Sequence, residues 1–115
     1  MDASNALSEL FSLSTQVVEA VIAGADGEVE AARTADDTRT AALVSSGAEI
    51  LAAAAVLRGG GPPVERVHVD LEGGSLVVVG DGVRTIVATT VAEPTAGLVA
   101  YDLRAALTAL GREGR

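Results

Sequence analysis

TRTAALVSSGAEILAAAAVL, residues 38–57, is the stretch whose reading decides the fold. On a helix, at about 100° per residue, Thr38, Arg39, Ser45, Ser46 and Glu49 gather on one wet strip. The rest of the wheel, Thr40 excepted, is apolar or small. That arc spans roughly 200°, whereas a helix packed on one neighbour shows a stripe a little over about 100° wide. One neighbour does not cover it. Leu43, Ile50 and Leu57 lie toward one side of the arc, with Gly47 and Ala54 beside them. Ala41, Val44, Ala48, Ala52 and Ala55 run along the other side, and Leu51 lies between. The expected arrangement is a helix that packs on a sheet with one face and on a second copy of itself with the other. Small residues let two helix backbones approach closely, and two-fold pairing is the commonest way to cover such a face. The competing reading, a helix wholly buried inside one monomer, needs more surrounding elements than 115 residues supply.

Working outward, residues 28–33 alternate as a strand and residues 34–37 carry capping chemistry, with acids suited to the positive end of a helix dipole. Asp26-Gly27 is a hairpin signal joining residues 28–33 to the β-branched run 17–23. Ahead of it, Leu7, Leu10 and Phe11 at helical spacing predict a first helix over residues 3–14. Downstream, Gly59-Gly60-Gly61-Pro62-Pro63 stops the central helix. Residues 64–72 alternate, with Val67, Val69 and Leu71 on one face and Arg66, His68, Asp70 and Glu72 on the other. Gly73-Gly74 turns into a strand at 75–79, and Gly80-Asp81-Gly82 turns into another at 84–91. After Glu93-Pro94-Thr95 a last helix carries Val99, Leu103, Ala106, Leu107 and Leu110 on one stripe, closed by Gly111 and followed by a frayed tail at 112–115. The order α-β-β-α-β-β-β-α makes one α+β domain over residues 1–115, with its core at about 7–110 and an antiparallel sheet against helices.

This order, the hairpin ADGEVEAAR (25–33), the Ala-rich central helix and the hairpin LVVVGDGVRTIVATT (76–90) together resemble the Roadblock/light-chain-7 family over nearly the whole chain. The resemblance implies a five-stranded antiparallel sheet flanked by helices, roadblock/profilin-like. It implies a homodimer formed through the central helix and the following strand, joining two sheets into one. Bacterial, MglB-like members bind and regulate small Ras-like GTPases; others serve in dynein light chains and GTPase-regulating scaffolds. The family brings no universal catalytic residue.

The seam can be argued from the residues as well. Pairing residues 64–72 antiparallel with their own copy about His68 sets Arg66 opposite Asp70 and Val67 opposite Val69. Each such pair contributes roughly 0.2–1 kcal/mol. Centring on Val67 instead sets Arg66 against His68. Two copies of His68 facing each other predict a dimer that weakens as the imidazoles protonate. The alternative is that these charges guard an exposed edge strand. The expected interface is thus Ala41, Val44, Ala48, Leu51, Ala52, Ala55, Arg66, Val67, His68, Val69 and Asp70.

Composition excludes several chemistries. A net charge of −8 argues against a nucleic-acid or anionic-membrane partner. Cysteine is absent, so there is no thiolate chemistry. All eight basic residues are Arg, which excludes a P-loop lysine and a Schiff base. The N-terminus lacks signal-peptide character and the longest unbroken apolar run is residues 50–57, so the expected location is cytoplasmic. His68 with a Ser and Asp70 is too common a set to indicate a hydrolase, and His68, Asp70 and Glu72 on one flat strand face make at best a weak, open metal site. Gly80-Asp81-Gly82 has Thr85 where a dinucleotide fingerprint needs its third glycine, and it leads into a strand. No cofactor and no metal are expected. Arg39, at the exposed start of the central helix, is the candidate partner contact. The sequence therefore reads as a non-enzymatic homodimeric adaptor that binds a small GTPase; the alternatives are a scaffold subunit of a sensor-kinase or motor-type complex and a small-ligand sensor.

Overall fold

In a computed structural model, which describes residues 1–61 and 63–113, the elements follow the expected order. They are α1 (Ala3–Leu13), β1 (Val17–Ala23), β2 (Val29–Arg33), α2 (Asp37–Arg58), β3 (Arg66–Leu71), β4 (Gly74–Gly80), β5 (Thr85–Thr90) and α3 (Ala96–Glu113). The five strands form one antiparallel sheet in the order β2-β1-β5-β4-β3. Since β1 pairs with β5, the chain leaving β2 must cross the sheet to begin β3, and α2 makes that crossing. Both β2 and β3 are left as edges.

The sheet is covered on both faces, so its central strands are runs of apolar residues in place of a polar–apolar alternation. On one face Ile22, Val77, Val79 and Ile86 pack under α1 and α3, which contribute Leu7, Leu10, Val99, Leu103, Leu107 and Leu110. On the other, Val21, Leu76, Val78 and Val87 pack under α2. Consecutive residues such as Val77 and Val78 serve opposite cores, as the two-residue period of a strand requires.

The seat of α2 is set by Gly47. A Cβ there would stand 2.5 Å from Val87 Cγ2, so only a glycine lets the helix descend this close to β5. Asp36 caps the N-terminus, its Oδ1 accepting from the Arg39 backbone N–H at 2.8 Å. At the other end Gly59, at φ 73°, turns its N–H back to the carbonyls of Ala55 and Val56.

Three expectations are corrected. The strand after the triglycine begins at Arg66, two residues later than its alternation predicts. The last helix passes through Gly111, which keeps an ordinary helical φ, and continues to Glu113; of the tail expected to fray, 114–115 lie outside the described residues. Leu57, expected on the same side of the wheel as Leu43 and Ile50, is 88% exposed. The reason is length. At about 1.5 Å per residue α2 is about 33 Å long, whereas four inter-strand spacings of about 4.8 Å come to about 19 Å. The helix touches all five strands, and its last turn projects beyond the sheet.

Candidate functional site

The unpartnered surface of the molecule is built from α2 and β3. Leu43 and Gly47 face the sheet and are buried, and Val44, Ile50 and Leu51 pack at the margin of that contact. Ala41, Ala48, Ala52 and Ala55 are exposed along the flank next to it, and Val56 and Leu57 stand out at 80% and 88% exposure. Val44, Ala48 and Leu51 also line an open cleft of about 380 Å³ between α2, Val64 and the β4–β5 turn. Val67 and Val69 lie half-buried on the α2 side of the edge strand, with Val69 packed against the α2 core. The apolar flank of the helix and the apolar face of the strand are thereby brought onto one side of the sheet.

Among the described residues α2 is also the one helix long and apolar enough to cross a membrane by length and composition, with a mean hydropathy of 1.7 over 18 residues. Within that helix Glu49 is exposed while Leu43 and Gly47 are committed to the sheet. Its apolarity divides between the core of this chain and the uncovered flank.

On the opposite side of β3, Arg66, His68 and Asp70 face the α3 side, as their pairing with Val79, Val77 and Ser75 requires. His68 Nε2 lies 2.9 Å from Asp70 Oδ1 and 3.1 Å from Ser75 Oγ. The Ser75 hydroxyl donates to the same Asp70 oxygen at 3.1 Å. A hydrolytic triad needs one ring nitrogen on the carboxylate and the other accepting from the serine. Here a single nitrogen meets both groups, and the hydroxyl proton points at the carboxylate. This triangle fastens the strand's own side chains to each other and relays nothing. Among the described residues no group of three His, Asp or Glu side chains converges as a metal-ligand set. Ser75 was not legible as a partner, because its reach to β3 depends on the Asp70–Ser75 register of the hairpin.

Arg39 is held within its own chain. Its Nε donates to Glu19 Oε2 at 3.1 Å and its Nη2 to Oε1, while Thr89 Oγ1 donates to Oε1 at 3.1 Å. This fork ties the first turn of α2 to β1 and β5. The Arg39 guanidinium holds the Glu19 carboxyl below its ordinary value of 4.5, outweighing the burial that pushes it up. A carboxylate depressed in the folded state adds stability above its unfolded pKa and loses that contribution as pH falls through the folded one. Glu19→Gln is therefore expected to melt below the wild type at neutral pH. The gap should narrow as pH falls below about 4.5 and close as pH passes through the lowered folded value; thermal melts at a series of pH values check this. A gap that does not change with pH would mean that packing, not charge, accounts for the effect.

No family model matches the chain, and no curated protein sequence matches it. Solved structures do. A Roadblock/LC7 domain from Streptomyces avermitilis is 20% identical and superposes with a TM-score of 0.82, covering 98% of each chain. An MglB with tetrameric arrangement is 22% identical at a TM-score of 0.70, over 96% of this chain and 85% of that one. Profilin II from Acanthamoeba castellanii is 15% identical at a TM-score of 0.61, over 97% and 98%.

Proposed function

We propose that this chain, which has the Roadblock/light-chain-7 fold, is a homodimeric regulatory adaptor of the cytoplasm whose partner is a small Ras-like GTPase. The observation that carries the self-association is the uncovered flank of α2 lying on the same side as β3, an edge strand paired only with β4. Pairing β3 with its copy extends the sheet and brings the two α2 flanks together, covering Ala41, Ala48, Ala52 and Ala55. Arg66 and Asp70 then lie across the seam from each other, with Val67 opposite Val69. An MglB solved in a tetrameric arrangement supports self-association on this fold.

The GTPase reading rests on likeness to MglB. The adaptor would act by binding one nucleotide state of the GTPase more tightly than the other, shifting that equilibrium by the difference in affinity. With Arg39 engaged by Glu19, no catalytic residue is supplied to the partner. The test is to titrate the protein into a Ras-like GTPase loaded with GDP or with a non-hydrolysable GTP analogue, following anisotropy of a labelled nucleotide. A preference of roughly tenfold or more between the two states, about 1.4 kcal/mol, is expected. Equal binding to both states would leave a scaffold role, and no binding to either would remove the GTPase from the account.

A further inference from the structure

A second surface lies where the end of α2, the start of β3 and one side of α3 converge. Arg58, Arg66 and Arg104 line an open cleft of about 700 Å³ there, with Tyr101 and Glu65. Three of the eight arginines of an acidic chain thus stand around one depression. They come from different elements: Arg58 from the last turn of α2, Arg66 from the first position of β3, and Arg104 from α3 one face-turn beyond Gly97, Ala100 and Tyr101. Elsewhere Arg39 is paired with Glu19, Arg84 with Glu30, and Arg33 lies over the Phe11 ring. The Arg66 side chain makes no hydrogen bond or ion pair among the described residues and is exposed. Arg104 reaches Glu65 only at 3.4 Å, with its side chain 43% exposed. Tyr101, 71% exposed, projects from α3 at the rim.

We propose that this cleft binds a carboxylate-rich peptide segment of a partner protein. Guanidinium forks pair with carboxylates in two parallel hydrogen bonds, and the exposed forks of Arg66 and Arg104, set on a strand and a helix, match acids spaced along an extended chain. A compact phosphate is gripped by donors that converge on one point, usually with backbone N–H groups; here the donors surround an open floor and Glu65 stands among them. A long polyanion such as nucleic acid would run past the cleft onto a surface whose net charge repels it. The exposed Tyr101 ring beside Gly97 and Ala100 gives the peptide an apolar shelf. In the proposed seam Arg66 meets Asp70 of a second copy. That carboxylate is already engaged by His68 and Ser75 of its own chain, and Arg58 and Arg104 lie off the strand, so the cleft keeps its sign. The inference needs no GTPase and stands or falls apart from the adaptor reading.

The experiment is a titration of a fluorescein-labelled oligoglutamate peptide with the full chain, read by anisotropy at low ionic strength. Saturable binding is expected, lost in about 0.5 M salt. Arg66→Glu and Arg104→Glu are each expected to weaken it on the order of tenfold, whereas Arg33→Glu, the same charge change elsewhere, leaves it intact. Circular dichroism melts confirm that the variants fold, and Arg104→Gln replaces any that does not. Three results would overturn the proposal: no saturable binding, equal loss in Arg33→Glu, or competition by inorganic phosphate at the concentration where the peptide itself competes. Self-association that Arg104→Glu, which lies off the β3 seam, abolishes in the absence of peptide would make a second copy the occupant, and would overturn it as well.

Discussion

Gly74→Ala is expected to cost about 3 kcal/mol or more, lowering the melting temperature by roughly 10 °C or preventing folding altogether. A Cβ at residue 74 would stand 2.2 Å from the Thr90 carbonyl oxygen, with the Thr90 carbonyl carbon at 3.4 Å and the Val91 oxygen at 3.7 Å. Those are backbone atoms, and they have nowhere to go. The Thr90 side chain accepts from the Ser75 N–H at 3.1 Å and donates to the Val91 carbonyl at 2.8 Å, while the Val91 N–H is held by the Gln16 carbonyl at 2.9 Å. Relief would require breaking the β4–β5 ladder where β1 begins against it. Gly73→Ala is the control. Residue 73 adopts φ 83° with nothing within 4 Å, so its substitution brings only the left-handed strain of about 1 kcal/mol. Parallel melts of the two alanine variants check the prediction; equal losses would show that backbone conformation, not contact, is what Gly74 provides.

Ala48→Glu is expected to turn a dimer into a folded monomer, weakening association by a factor on the order of a hundred or more. Ala48 sits on the exposed flank of α2, within the face proposed to meet the second copy. In the monomer a glutamate there costs little, since glutamate is a good helix former and this flank opens to water. In the dimer the same carboxylate would be buried against small apolar residues with no cation nearby, and an unpaired buried charge is strongly unfavourable. Sedimentation velocity of the wild type, Ala48→Glu and Ala53→Glu checks this, the last being exposed on the far side of the helix. Monomer only in Ala48→Glu supports the seam. A wild-type protein that is monomeric at every concentration would sink it, and the uncovered flank would then belong to a different partner.

The two substitutions probe features of unequal legibility. That Ala48 lies off the sheet contact, exposed on a flank of α2, could be read from periodicity alone, because the breadth of the apolar arc on residues 38–57 exceeds what one neighbour covers. The need for glycine at 74 could not. Gly73-Gly74 reads as a turn, yet only Gly73 has a turn glycine's positive φ; Gly74 is required by a carbonyl sixteen residues away in sequence. Gly47 is similar, since a mid-helix glycine is explained only once Val87 is seen beneath it.

The sequence by itself determined the order and type of every element, the α+β class and the amphipathic division of α2. These follow from local rules: hydrophobic period, capping acids before Arg39, hairpin glycines and the proline–glycine stop after Arg58. Such signals act within a few residues and survive without knowledge of the fold. Only the tertiary structure decided that β1 sits between β2 and β5, leaving β3 at an edge, and that α2 overhangs the sheet with Val56 and Leu57 exposed. It alone paired Arg39 with Glu19, closed the His68–Asp70–Ser75 triangle and gathered Arg58, Arg66 and Arg104 around one cleft. Each of these joins groups from separate elements, and their meeting depends on strand register and helix crossing, quantities that no local pattern encodes.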